Sequence, residues 1–222
     1  MAHATNYFAW QGRLVTPLLG RRVVEVGCGI GNFTGMLLDR ETVLAVDVDP
    51  GCIERLQQRY SNRENLHAFV CEPSSAAFAD LARFQPDSCV CLNVLEHIQD
   101  DGRALEAMAS VLVPGGAMVL LVPAFQALYG SIDRNLGHHR RYRRETLAQL
   151  AHRADLRIEK LHYVNAAGFF GWWLNARIFR REAQSEGQIR IFDRCIVPWL
   201  SRLEAISPPP FGQSLFAVLR KP

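Results

Sequence analysis

Three stretches of the chain have residue types and spacing that could do chemistry. The first is the apolar run Val23-Val24-Glu25-Val26, which breaks into Gly27-Cys28-Gly29-Ile30-Gly31 and resumes as Phe33-Thr34-Gly35-Met36-Leu37-Leu38. It reads as a buried strand, a tight loop and the start of a helix. Glycines in such a loop let the main chain lie directly against a flat polar ligand, beside the unpaired N–H groups of a helix start. A second apolar run, Thr42 to Val46, ends in Asp47, sixteen residues beyond Gly31. A βαβ unit places a carboxylate there, at the tip of its second strand, where it can accept both hydroxyls of a ribose. Position 32 is asparagine and Gly31 comes one residue too early for the dinucleotide fingerprint GxGxxG, which argues against NAD.

The second stretch is Asn93-Val94-Leu95-Glu96-His97, directly after the strand-like Asp87 to Leu92. Open α/β sheets bind ligands outside the carboxyl ends of their strands, so Asn93, Glu96 and His97 should face a cleft. The third runs from Tyr129 to Arg144 and holds five arginines, two histidines and two tyrosines. It leaves the end of a fifth strand, Ala117 to Val122, on the same side. Arginine forks bind carboxylate and phosphate bidentately, so the run reads as an anion clamp, with an ordinary solvated loop as the alternative.

The glycine loop, Asp47 and the Asn93–His97 turn together resemble the class I S-adenosylmethionine-dependent methyltransferases, over most of the chain from about Arg21 onward. The resemblance implies an α/β fold. Its seven-stranded mixed sheet is Rossmann-like, with helices on both faces and the last strand inserted antiparallel between the fifth and sixth. It implies S-adenosylmethionine as cofactor, held by Glu25, Gly27, Cys28, Gly29, Gly31, Asp47, Val48, Glu72 and Asn93. Among these, the glycines would cradle the methionine portion, Asp47 the ribose and Glu72 the adenine amine. Pro73 has no N–H for the adenine ring, so that contact falls to Ser74 or Ser75 or is missing. The Tyr-Gly-Ser, Gly-His and Arg-Arg-Tyr pattern between residues 129 and 142 is similar to a bacterial subgroup often found with glycosyltransferases. It implies a small, anionic acceptor such as a glycan or lipid-linked sugar, bound by Tyr129, His139, Arg140, Arg141 and Tyr142. If the acceptor is a hydroxyl, His138 or His97 would remove its proton. The rivals are a nicotinamide-dependent oxidoreductase and a catalytically silent nucleoside-binding partner of another enzyme.

Size and composition fit this reading. With 222 residues and a net charge of +3, the chain is expected to form one methyltransferase domain and carries no global field pointing to nucleic acid. Its six cysteines show no metal-ligand spacing, and Cys89 and Cys91 alternate along a strand; they read as core residues of a reduced protein without a metal site. The opening Met1 to Asn6 lacks the features of a signal peptide, so a soluble cytoplasmic protein is expected.

The supporting elements follow from periodicity. Residues 1–20 predict an amphipathic helical cover, with Tyr7 and Trp10 packing on the sheet or lining the site. Asp49-Pro50 starts a helix through Tyr60, with Pro50 in the first turn. Leu66–Val70, Leu156–Val164 and Phe211–Leu219 read as the third, sixth and seventh strands, and residues 102–112 and 145–152 as helices. Residues 123–144 form a substrate insert. Residues 165–210 form a helical insert of two helices, in which Trp172, Trp173, Leu174, Arg177, Arg180 and Arg181 lie together. Packing on the sheet edge or over the substrate is the first reading of that insert. Peripheral contact with the inner membrane face or a lipid-linked acceptor is the alternative.

Overall fold

The structure, a computed structural model, describes residues 4–173 and 186–222. The apolar runs become seven strands: β1 (Arg22–Val26), β2 (Thr42–Asp47), β3 (Leu66–Val70), β4 (Ser88–Leu92), β5 (Ala117–Pro123), β6 (Arg157–Val164) and β7 (Ser214–Arg220). They form one sheet in the order β3-β2-β1-β4-β5-β7-β6. Strand β7 is antiparallel to both of its neighbours, as the resemblance implies. The order reverses between β1 and β4, so the loops leaving these two strands open a crevice at their carboxyl ends.

The helices are α1 (Thr5–Val15), α2 (Pro50–Arg59), α3 (Ala76–Ala79), α4 (Asp101–Val111), α5 (Ser131–Asn135), α6 (Arg144–Arg153), α7 (Ala166–Trp173), α8 (Glu186–Ile191) and α9 (Val197–Ile206). The central strands are apolar on both faces, and the period of two divides their side chains between two cores. Val24, Cys89, Cys91 and Met118 pack with Leu105 and Met108 of α4. Val23, Val90 and Val119 face the other way, onto Trp10 of α1 and Val197 of α9. All six cysteines are unpaired thiols, with Cys28, Cys71, Cys89 and Cys91 buried.

The helix expected from Phe33 is reduced to turns, with a single 3-10 turn at Thr34–Met36. Tyr60, at the end of α2, is the cause. Its hydroxyl donates to the Gly31 carbonyl at 3.0 Å, which is the acceptor an α-helix would offer to the N–H of Gly35. A Cβ on Gly35 would lie 2.6 Å from that hydroxyl, so the ring approaches the chain where no side chain stands.

Helix α1 covers one face of the sheet, with Trp10 buried and the Tyr7 ring packed edge-on against it at 5.7 Å. Its N-cap residue, Ala4, has no side chain to offer the free N–H groups. They are capped from far along the chain. Asp193, in the π-helical turn Phe192–Ile196 joining α8 to α9, accepts from the backbone of Tyr7 at 2.8 Å and of Asn6 at 3.2 Å. In the helical insert Trp172 is buried and Trp173 exposed, while Leu174, Arg177, Arg180 and Arg181 lie outside the described residues.

Replacing Asp193 with alanine removes a buried carboxylate that caps α1 and joins it to the C-terminal helices. Urea unfolding of Asp193→Ala should show a loss of about 1–3 kcal/mol relative to the parent. An unchanged midpoint would mean that the cap contributes nothing.

Candidate active site

The crevice has two sides. On the first, Gly27, Gly29 and Gly31 carry φ of +75°, +52° and +83°, so this turn is closed to most other residues. The N–H groups of Gly27 and Cys28 both donate to the Val46 carbonyl, which ties the loop to the end of β2. Asp47 adds a third tie: its carboxylate accepts from Gly29 N at 2.8 Å and Asp49 N at 3.0 Å. The space beyond Gly29 is open, with nothing within 4 Å of where its Cβ would stand. At the strand tips Val48, Val70 and Ile30 are left exposed, which suits a flat ring lying across them. Glu72 is exposed just past β3, with one oxygen held by the Ser74 hydroxyl at 2.9 Å. The Ser75 N–H turns back to the Glu72 carbonyl. An open glycine cradle, a carboxylate at the second strand tip and an acid at the third fit the three parts of S-adenosylmethionine.

Two of the expected cofactor contacts point elsewhere. The Cys28 side chain turns into the cluster of Ala45, Ile53 and Leu56, leaving only its backbone toward the crevice, and burial pushes its thiol pKa up. Glu25 is buried beneath the loop and accepts from the Thr34 hydroxyl at 2.6 Å. Burial holds its pKa up at about 8, the Thr34 bond working against that and the nearby Asp47 charge adding to it.

The second side is built by the turn after β4 and the loop after β5. Asn93 is exposed with φ +55°, and its N–H donates to the Leu121 carbonyl. The next residues form a 3-10 turn, Leu95–His97, that buries Glu96 and exposes His97. The loop leaves and returns through one neck. Phe125 N donates to the Tyr142 carbonyl and Tyr142 N to the Pro123 carbonyl, both at 2.8 Å. Within it the fully buried Asp133 carboxylate accepts from Arg141 Nε at 2.8 Å and Gly130 N at 2.9 Å, and lies 2.9 Å from His138 Nδ1. Burial alone would push Asp133 up; the bonds from His138 and Arg141 outweigh it and hold its pKa below the ordinary range. Asp133 thereby turns the other imidazole nitrogen of His138 toward Glu96, at 3.9 Å. The rings of His97 and His138 meet edge to face, 4.6 Å apart.

This arrangement corrects the expected clamp. Arg141 is buried, spent on Asp133 and on the Ala124 carbonyl, and lies 4.5 Å over the Trp172 ring. Tyr142 is a core residue whose hydroxyl donates to Asp101 at 2.8 Å. Arg140 pairs with Asp101 at 2.7 Å and donates to the Gln99 carbonyl at 2.6 Å. The Tyr129 hydroxyl donates to the His138 carbonyl at 2.7 Å, so it shapes the loop. His139 is exposed, its N–H donating to the Glu96 carbonyl. Arg140, Arg143 and Arg153 line a separate depression of about 580 Å³. Of the residues in the run, His138 is the one brought against the Asn93–His97 turn with a ring nitrogen free of Asp133. Asp133, which organises the loop around His138, is the residue missed in the sequence, where its signal was a lone acid in a basic run.

The sheet order, the glycine loop and the strand-tip carboxylate together define the class I methyltransferase fold, with a crevice that fits S-adenosylmethionine. A profile of the methyltransferase domain family matches residues 2–161, and the chain belongs to that family. An uncharacterised methyltransferase of Mycobacterium bovis is 32% identical over 110 residues, 48% of this chain and 53% of the relative. The ubiquinone biosynthesis O-methyltransferase of Paracidovorax citrulli is 29% identical over 103 residues, 46% of this chain and 43% of that protein. The chain thus spans about half the length of these curated relatives. Among solved structures, the N-methyltransferase NodS from Bradyrhizobium japonicum with S-adenosyl-L-homocysteine superposes with a TM-score of 0.60 at 18% identity, covering 96% of this chain and 86% of that one.

Two outcomes follow. Asp47→Ala removes the strand-tip carboxylate expected to hold the ribose together with two loop ties, so calorimetry should show S-adenosylhomocysteine affinity falling by about 100-fold, or ~3 kcal/mol. Folded Glu25 keeps its proton to about pH 8, whereas its ordinary value is 4.5, so its contribution to stability is lost as pH rises between those values. Glu25→Gln should therefore gain thermal stability relative to the parent as pH climbs toward 8, and show no such gain at pH 4.

Proposed function

We propose that the protein transfers the methyl group of S-adenosylmethionine to an oxygen of a small acceptor, and that the acceptor meets the cofactor beside His138 and His97. The observation that carries this reading is the placement of His138. Asp133 holds its Nδ1, so its Nε2 is turned toward Glu96 and the turn after β4. S-adenosylmethionine supplies an electrophilic methyl on a sulfonium. The protein's part is to hold that group through the glycine loop, Asp47, Glu72 and Asn93, to bring the acceptor into line, and to exclude water. His138 and His97 are proposed as the catalytic groups that meet the acceptor's reacting oxygen. The O-methyltransferase named among the relatives supports oxygen as the acceptor atom. The anionic character expected of the acceptor loses two of its donors, because Arg140 and Arg141 are paired within the protein.

A second reading concerns where the acceptor is presented. The outer face of α8 and α9 exposes Ile191, Trp199, Leu203 and Ile206 beside Arg194 and Arg202, while Asp193 and Glu204 turn inward as backbone acceptors. A face that carries cationic, aromatic and apolar side chains together favours a lipid-linked acceptor at an anionic membrane surface. No described helix is long and apolar enough to cross a membrane.

Calorimetry should show binding of S-adenosylmethionine and S-adenosylhomocysteine and none of NAD. Against a panel of hydroxylated small molecules and polyprenyl-linked sugars, His138→Ala should lower kcat by about 100-fold or more with cofactor affinity unchanged. Equal turnover by His138→Ala on an acceptor that the parent methylates would remove His138 from the chemistry.

A further inference from the structure

Glu96 poses a problem that the methyl-transfer reading leaves open. It is completely buried, and neither of its carboxylate oxygens has a hydrogen-bond partner. Leaving such a group unsatisfied is costly, and an orphaned buried polar atom calls for an unseen water, ion or ligand. The nearest guanidinium, Arg141, gives its Nε to Asp133. His138 Nε2 stands 3.9 Å from Glu96 Oε1, too far for a hydrogen bond. That span does suit two ligands of one metal ion, each about 2.0–2.2 Å from it.

The surroundings have the form of a ligand shell. One donor atom each from Glu96, His97 and His138 lies within 4.8 Å of the others. The His138 imidazole has its second nitrogen fixed: its Nδ1 faces the Asp133 carboxylate at 2.9 Å. Metal-ligating histidines are held this way, because the outer partner sets the tautomer and leaves the lone pair on the ligating nitrogen. Glu96 and His97 sit on the turn after β4, and His138 comes from the loop after β5. The set is complete only when that loop is docked.

We propose that Glu96, His97 and His138 form a binding site for one divalent cation of the zinc type, with remaining coordination positions open to an oxygen of the acceptor. Two imidazoles and one carboxylate select a borderline transition metal over calcium or magnesium, which favour all-oxygen shells. Three protein ligands with an open position is the arrangement of a reactive rather than a structural site. The inference deepens the methyl-transfer reading and rests on it for the role of the ion. It gives the two histidines a means of engaging the acceptor and gives the buried carboxylate its missing counter-charge.

The test uses the purified full chain stripped with chelator, then titrated with Zn²⁺ by calorimetry and with Co²⁺ by visible absorption. One equivalent should bind, with ligand-field bands distinct from free Co²⁺. Glu96→Gln and His97→Ala should each weaken binding by about 100-fold or more, beyond the roughly 10- to 100-fold that loss of an outer partner costs. His97 is exposed, so its variant keeps the fold even if Glu96→Gln does not. S-adenosylhomocysteine affinity should be the same in both. The proposal is overturned if neither ion binds, or if both variants bind the ions as the parent does. Methyl transfer that proceeds at full rate in chelator would also overturn it, while leaving the methyltransferase reading standing. Stoichiometric Co²⁺ binding lost in His97→Ala would uphold the site even if no acceptor in the panel were methylated.

Discussion

The buried carboxylate of Asp133 is the interaction on which the acceptor side of the crevice depends. It takes Arg141, the Gly130 N–H and His138 Nδ1 within one short loop, and its own carbonyl accepts from the His138 N–H at 2.9 Å. Burying an arginine and an aspartate together is roughly neutral when both are fully bonded, but removing one partner costs about 3–5 kcal/mol. The pair therefore contributes shape more than stability. It fixes which way the loop folds, and through that, where the His138 ring stands.

The two sides of the crevice are also joined directly. A Cβ on Gly27 would fall 2.2 Å from a Val94 methyl, so the glycine loop and the turn after β4 share a wall with no space for a side chain between them. Val94 is flanked by the exposed Asn93 and by the Leu95–His97 turn that carries Glu96 and His97. A shift of either loop displaces the other. Close packing of this kind carries small displacements between contacts instead of absorbing them.

The fold, the glycine turn and the position of Asp47 were legible in the sequence because they depend on local patterns. Leu66–Val70 is a strand within the residues its apolar run marks, and Asp47 stands at a strand tip because the run before it ends there. The loop after β5 was not legible. Its arginines and tyrosine declare their chemical type, but their partners lie far off: Tyr142 reaches Asp101, 41 residues away, and Arg141 stacks on Trp172. A run of cations reads as a surface until the acids that bury it are known. The lost helix after the glycine loop is the same kind of case. Its local pattern is helical, and Tyr60 overrules it from 29 residues away.

The neck that closes the loop after β5 separates the loop from the sheet. Its ends are paired backbone to backbone through an Ala124–Tyr142 bridge, so the sheet sees the same two strand-like ends whatever lies between them. Outside the neck, the loop is anchored on Asp101, Gln99 and Trp172 and against the turn that carries Glu96 and His97. Closing a loop of different length costs only about 0.6 kcal/mol per doubling. The segment between residues 125 and 141 is thus an exchangeable cassette. Some seventeen residues can differ in length and course while the sheet and the glycine turn keep their own contacts.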